Sequence, residues 1–152
     1  WRYNECQMTS LFDLELKRLG GERGLGRRVR HEADLSDAIR DGFSSRVLDS
    51  LMQSSGLSLK EIADSVGLPV RTLQRHKSEG RFDAAESDRL YRLAHILAMA
   101  ERYLGDRERA LKWIRYPIGA LGGTAPLQFL DTEPGTRIVE QILGRIAYGG
   151  IS

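Results

Sequence analysis

Cysteine is nearly missing: among 152 residues only Cys6 is one, so the chain can form neither an internal disulfide nor a thiolate metal cluster. A lone thiol near one end suits a reducing compartment and points to no redox chemistry. Long apolar runs are missing too. No stretch of about 18 apolar residues is present, and the first residues lack the apolar block of a secretory leader, so a cytoplasmic address with no membrane contact is expected. Alternating β-branched segments are absent, which removes strands from the expected fold. Charge of one sign is not in excess either. The 23 Lys and Arg against 21 Asp and Glu leave a formal net charge of +2, too little to point to a polyanion by bulk attraction. What is present is 41% hydrophobic and 29% charged residues, ordinary for a soluble chain long enough for one domain or two small modules sharing a core.

Helical spacing dominates that remainder. In SSRVLDSLMQSSG, Val47, Leu48, Leu51 and Met52 share one face of a 3.6-residue period, and Gly56 supplies the stop. LSLKEIADSVG opens with Ser58 and Glu61 at capping-box spacing, carries Leu59, Ile62, Ala63 and Val66 on a buried stripe, and ends at Gly67. Pro69 then starts PVRTLQRHKSEG, whose clearest core residue is Leu73. Asp83 and Glu86 open a long helix with Leu90, Leu93, Leu97, Ala100 and Leu104 inward, closed by Gly105. Asp106 caps a helix with Ala110, Leu111, Trp113 and Ile114 that must stop near Pro117. Thr124 and Thr132 are expected to cap two further helices with Pro126 and Pro134 in their first turns. The second of these places Ile138, Val139, Ile142, Leu143 and Ile146 on one face. The expected class is all-α. SLFDLELKRLG fits an amphipathic helix, whereas GGERGLGRRVRHE reads as a linker or mobile arm.

Signatures of catalysis are poor. Gly21 to Arg28 mimic the glycine spacing of a phosphate-binding loop, but Arg27 and Arg28 stand where Lys and Ser or Thr belong, and no hydrophobic strand precedes them. His31, His76 and His95 have no Cys, Asp or Glu at metal-ligand spacing, and surface or packing roles are expected for them. Asp83, Glu86 and Asp88 read as helix-start charges that complement the macrodipole. No enzyme, cofactor or metal site is expected.

The pair from Leu57 to Gly80 carries the strongest local signal. A DNA-reading helix-turn-helix needs a small residue where the second helix crosses the first, a sharp turn, and an apolar anchor in the second helix. Ala63, Gly67 and Leu73 meet those needs. With Leu73 inward, Val70, Arg71, Gln74 and Arg75 face outward and Thr72 lies at the rim. Arginine can hold guanine O6 and N7 with two donors and glutamine can pair with adenine, so Gln74 and Arg75 are the expected base readers. Lys77 and Arg81 are the expected phosphate contacts. From Arg71 to Arg81 four cations face Glu79 alone, a local charge of +3 that exceeds the net charge of the chain.

Beyond this pair the sequence resembles the antitoxins of the Xre/MbcA/ParS group. The resemblance runs from about Ile39 to Gly150 and rests on the ordered set Glu86-Ser87-Asp88-Arg89-Leu90, Trp113, Leu121-Gly122-Gly123, Pro126-Leu127, and Thr132 with Gly135. It implies an Xre-like helix-turn-helix module that binds operator DNA at its own promoter, packed with a small helical C-terminal toxin-binding domain. The implied partner is a RES-domain, NAD-consuming toxin whose active site the antitoxin occludes. The implied toxin-binding residues are Arg145, Ile146, Ala147, Tyr148, Gly149, Gly150 and Ile151; a homodimer inside a larger toxin–antitoxin complex is expected. The expected division is residues 1–33 as a variable N-terminal arm or helix, 34–105 as the DNA-binding module and 106–152 as the toxin-binding domain. Trp113 and the Leu121 to Gly123 turn read as scaffold, and Arg89 and Arg92 as partners of Glu86 or Asp88. Two other functions stay open on the residues alone: a helix-turn-helix regulator with no toxin, and a protein-binding inhibitor that no longer reads DNA.

Overall fold

The computed structural model describes residues 10–149; Cys6, Gly150 and Ile151 lie outside them. Among the described residues the chain forms nine α-helices and two 3-10 turns, so the all-α expectation holds. The helices are α1 (Leu11–Leu19), α2 (Gly21–Leu25), α3 (Glu32–Asp41), α4 (Arg46–Ser55), α5 (Leu59–Val66), α6 (Val70–Glu79), α7 (Ala84–Leu104), α8 (Arg107–Arg115) and α9 (Glu133–Tyr148). The 3-10 turns Gly119–Leu121 and Pro126–Phe129 separate α8 from α9.

Helix starts follow the polar side chains that the sequence places there. Ser58 and Glu61 close a capping box on α5, Asp83 and Glu86 close another on α7, Asp106 accepts from the Arg109 N–H, and Thr132 accepts from the Gly135 N–H. Each satisfies a backbone donor that the helix itself leaves unpaired. Thr124 is the exception. Its carbonyl accepts from the Ile118 N–H at 3.2 Å in an isolated bridge across the Gly122 turn, so Ala125 takes the N-cap position of the next turn with no side-chain cap.

The 21-residue α7 is the axis of the fold. Its Leu90, Leu93, Ile96, Leu97 and Ala100 are buried and meet α1, α3, α8 and α9 on different sides. Leu104 packs against the same core but is only half-buried, because the last turn of the helix lies at its margin. One continuous apolar cluster runs from Leu19 to Leu143.

The glycine-rich stretch expected as a linker is folded. Gly21–Leu25 is a helical turn, and Leu25 and Val29 are buried in the common core. A Cβ on Gly24 would lie 1.9 Å from the Leu19 carbonyl oxygen, so this glycine serves close packing and not freedom of the chain. The arm is held down further by Ser44 Oγ, which donates to the Gly24 carbonyl at 2.8 Å.

The second half is strapped to the helix-turn-helix by Arg115. Its Nε and Nη2 each donate to a different Glu61 oxygen at 2.8 Å, and Nη2 also reaches the Gly56 carbonyl at 3.1 Å. This two-pronged bond is the cause that holds the Glu61 carboxyl below its usual range and the guanidinium above its own.

Candidate functional site

The first candidate surface is built around α6. Gly67 ends α5 in the left-handed region at φ +70°, a conformation that favours glycine, and the Leu68 N–H donates back to the Ala63 carbonyl at 3.0 Å. Pro69 then caps α6 in an extended conformation. The crossing residue Ala63 and the anchor Leu73 are both essentially inaccessible, and Leu73 is the only residue of α6 that is buried. Everything else on that helix is at least partly available to a partner.

Arg71, Gln74 and Arg75 all lie exposed on the outer side, at the i, i+3, i+4 spacing that groups side chains on one helix face. Val70 differs from its expected role, since it is half-buried and packs against the core, and Thr72 is half-buried beside it. Lys77 is exposed, with Nζ 3.1 Å from the Asp49 carboxylate. Arg75 Nε lies 3.9 Å from Glu79. Arg81 sits just past the helix and donates to the Asp41 carbonyl at 3.1 Å. Thus the expected base readers share one face with Arg71, while the two expected phosphate contacts are tethered at the far end of the helix.

The Glu86-to-Leu90 block is the brace behind this face. Glu86 closes the α7 capping box and also meets His76 Nε2 at 2.8 Å, which ties α6 to α7. Ser87 Oγ accepts from the Phe43 N–H and donates to the Asp83 carbonyl, both at 2.7 Å. The expected partner of Arg89 is a carboxylate; its Nη1 instead donates to the Val66 and Gly67 carbonyls at 3.4 Å. A cation there complements the negative end of α5 and steadies the turn. Arg92 does pair with Asp88, at 3.6 Å.

The second candidate surface is α9 and its surroundings. Val139 and Leu143 are fully buried, but Ile138 and Ile146, expected on the same buried face, are 41% and 38% exposed. With the half-buried Ile142 they form an i, i+4, i+8 ridge along the margin of the helix. Tyr148 is 84% exposed, its ring edge-on to Tyr103 with centroids 6.3 Å apart. Arg145, Ala147 and Gly149 are exposed on the final turn. Gly150 and Ile151, the remaining two expected toxin-binding residues, lie outside the described residues.

Sequence reasoning missed a further apolar feature nearby. Leu104, Trp113, Tyr116 and Ile118, rimmed by Arg109 and Lys112, line an open groove of about 440 Å³. Trp113, expected as scaffold, is half-buried against the core and also lines that groove. The only hint was Tyr116, an aromatic beside the helix-ending Pro117.

A polar clamp joins the ends of the chain across α7. His95 Nδ1 meets Glu15 of α1 at 2.9 Å and Nε2 meets Glu140 of α9 at 3.1 Å, while the Tyr91 hydroxyl donates to Glu15 at 3.0 Å. Burial works against the charged imidazole, but the hydrogen bond and charge of Glu15, followed by those of Glu140, outweigh it and raise the His95 pKa. Burial and the neighbouring Glu15 push the Tyr91 phenol up as well. His95 therefore does more than pack, with partners that are 80 and 45 positions away and so invisible to local spacing. No group of three or more His, Cys, Asp or Glu among the described residues could hold a metal ion.

A tight helical pair with a basic outer face, strapped to a second helical unit with an apolar outer ridge, defines a helix-turn-helix protein with two exposed surfaces of opposite chemistry. Residues 34–95 match the antitoxin Xre-like helix-turn-helix domain and residues 99–149 match the antitoxin Xre/MbcA/ParS C-terminal toxin-binding domain. The chain is 33% identical to Antitoxin Xre of Yersinia enterocolitica over 132 residues, spanning 86% of this chain and 89% of that protein. It is 38% identical to Antitoxin Xre of Pseudomonas putida over 117 residues, spanning 76% and 72%. A more distant relative, 23% identical over 129 residues and spanning 78% of this chain and 81% of its own, is named a Prs ADP-ribosylating antitoxin, from a Sphingobium species. The chain belongs to the Xre antitoxin family and carries that family's helix-turn-helix and toxin-binding domains, the regulatory parts of a toxin–antitoxin system.

Proposed function

We propose that this antitoxin neutralises a RES-domain, NAD-consuming toxin by seating Arg145 to Ile151 in the toxin's active-site cleft, and represses its own operon through α6. The observation that carries the first part is the exposed ridge of Ile138, Ile142 and Ile146 with Tyr148 at its end, anchored from behind by Val139 and Leu143. Such a helix presents apolar and aromatic anchors on a rigid support, and the terminal glycines let backbone enter a narrow cleft. The ADP-ribosylation in the name of the Sphingobium relative supports NAD chemistry in the partner, because NAD is the donor in that reaction. Autorepression is supported by the outward trio Arg71, Gln74 and Arg75, which has the donors needed for base edges. A homodimer would set two such helices about one DNA turn apart, near 34 Å. The absence of any helix long and apolar enough to cross a membrane among the described residues is compatible with work in the cytoplasm. No small-molecule cofactor enters this reading.

The test is expression of the neighbouring reading frame with and without this protein, scoring growth, cellular NAD and co-purification together. Growth arrest and NAD loss in its absence, both relieved in its presence with a stable complex, support the reading. Unrelieved arrest, or relief without a complex, sinks it.

The half-buried Val70 and the Lys77–Asp49 pair favour a second reading, in which the protein only binds its partner and α6 no longer reads DNA. A promoter footprint by the purified protein excludes that reading.

A further inference from the structure

Three segments distant in sequence meet where α6 ends. The Ser45 N–H donates to the Gly80 carbonyl at 3.0 Å, the Phe82 N–H donates to the Phe43 carbonyl at 2.9 Å, and Ser44 and Arg81 form an antiparallel bridge. Onto this junction folds the glycine-rich arm, through Ser44 Oγ to the Gly24 carbonyl and through the Arg27–Asp41 ion pair. Leu25, Arg27, Asp41 and Arg81 line a cleft of about 270 Å³ between arm and junction.

The charges at this junction are lopsided. Arg46 opens α4 one turn before Ser50, the side chain against which Gly20 packs, so it borders the arm on one side. Asp49, three residues on, reaches Lys77, which brings Arg46 beside the end of α6 on the other. Arg23 and Arg46 are exposed with no side-chain partner among the described residues, and Arg28 meets only the exposed Glu22 at 3.5 Å. Counting Arg23, Arg27, Arg28, Arg46, Lys77 and Arg81 against Glu22, Asp41, Asp49, Glu79 and Asp83 leaves +1, and that excess lies on the side of the arm and the start of α4. An arginine at the first position of α4 also opposes that helix's dipole, a small cost that a bound anion would reverse.

We infer that the folded arm and the start of α4 form a basic shoulder that grips the phosphate backbone of duplex DNA beside the groove entered by α6. This rests on the proposed DNA-reading role of α6 and extends the interface to Arg23, Arg28 and Arg46, whose part is affinity and register and not base choice. The shoulder explains why a segment rich in glycine and arginine is packed down: a rigid basic surface loses less entropy on meeting phosphates than a free arm does.

The experiment measures affinity of the full chain for a duplex covering the region upstream of its own reading frame, and for an unrelated duplex of equal length, across a salt series. Three proteins are compared: the unaltered chain, a triple variant Arg23→Gln, Arg28→Gln, Arg46→Gln, and the matching triple Arg→Lys variant, with melting temperatures read alongside. The expected slope of log affinity against log salt becomes shallower in the glutamine variant by roughly 0.9 for each phosphate that is no longer neutralised, equally on both duplexes, and is retained in the lysine variant. An unchanged slope in the glutamine variant overturns the shoulder while leaving the α6 reading intact. An equally shallow slope in the lysine variant also overturns it, because the arginines would then be acting on the fold. No binding by the unaltered chain at any salt removes the α6 reading and the shoulder together.

Discussion

Helices α6 and α9 face the same problem with opposite chemistry. Each must keep one stripe in the core and offer the rest to a partner. Helix α6 buries Leu73 alone and surrounds it with Arg71, Gln74, Arg75 and Lys77. Helix α9 buries Gly135, Thr136, Val139 and Leu143 and still leaves Ile138, Ile146 and Tyr148 in water. A charged face is stable in solvent and gains from ions released when phosphates are met. An apolar face gains from leaving water, about 1.5–3 kcal/mol for each large side chain fully buried. The contrast teaches that one short chain can serve two partners without confusion, since each surface draws on a driving force that the other partner cannot satisfy. Salt should separate them too, weakening DNA binding steeply and partner binding little.

That division breaks most visibly at the end of α9. Removing everything after Arg145 is expected to abolish protection from the toxin while leaving the DNA shift intact, as read by growth rescue and gel mobility on the same protein. Tyr148→Ala is the sharper version. The loss of one exposed aromatic anchor is expected to cost about 2 kcal/mol, roughly thirtyfold in partner affinity, measured by titration calorimetry, with at most a small fall in the melting temperature of the free chain from the lost Tyr103 contact. On α6, Gln74→Ala or Arg75→Ala is expected to cost about 1–3 kcal/mol in operator affinity and to relax base preference. Lys77→Ala is expected to do less, lowering affinity for all sequences alike, because Lys77 must first leave Asp49.

The smallest expected effect belongs to the clamp between the two ends of the chain. The folded state raises the His95 pKa, so its contribution to stability is present in full below the ordinary imidazole value near 6.5 and is lost as pH rises through the raised value. The melting temperature is therefore expected to fall as pH climbs above about 6.5, and Glu140→Gln is expected to flatten that fall. A variant with the same pH profile as the unaltered chain would contradict the clamp.

Local chemistry was legible in the sequence wherever a helix start or stop decides it. The boxes at Ser58 and Asp83, the caps at Asp106 and Thr132, and the anchors Ala63 and Leu73 act over a few residues, so spacing alone reveals them. Features made by distant contacts were not legible. The arm from Gly20 to Val29 looks flexible by composition, yet a Cβ on Gly20 would run into Ser50 of α4 and one on Gly24 into the Leu19 carbonyl of α1, while Gly21 and Gly26 face open space. Arg89 has a carboxylate one turn away in sequence but finds the carbonyls of Val66 and Gly67. Helical period alone also placed Ile138 and Ile146 inside, because it identifies an apolar arc without saying how much of that arc α7 covers.

The division of surfaces is most directly tested by hydrogen exchange of the antitoxin alone and in complex with the protein encoded beside it. The account predicts new protection centred on Arg145 to Ile151 and the Ile138 ridge, with Arg71 to Lys77 exchanging as in the free chain. Protection that falls on α6 while the end of α9 exchanges freely would contradict it.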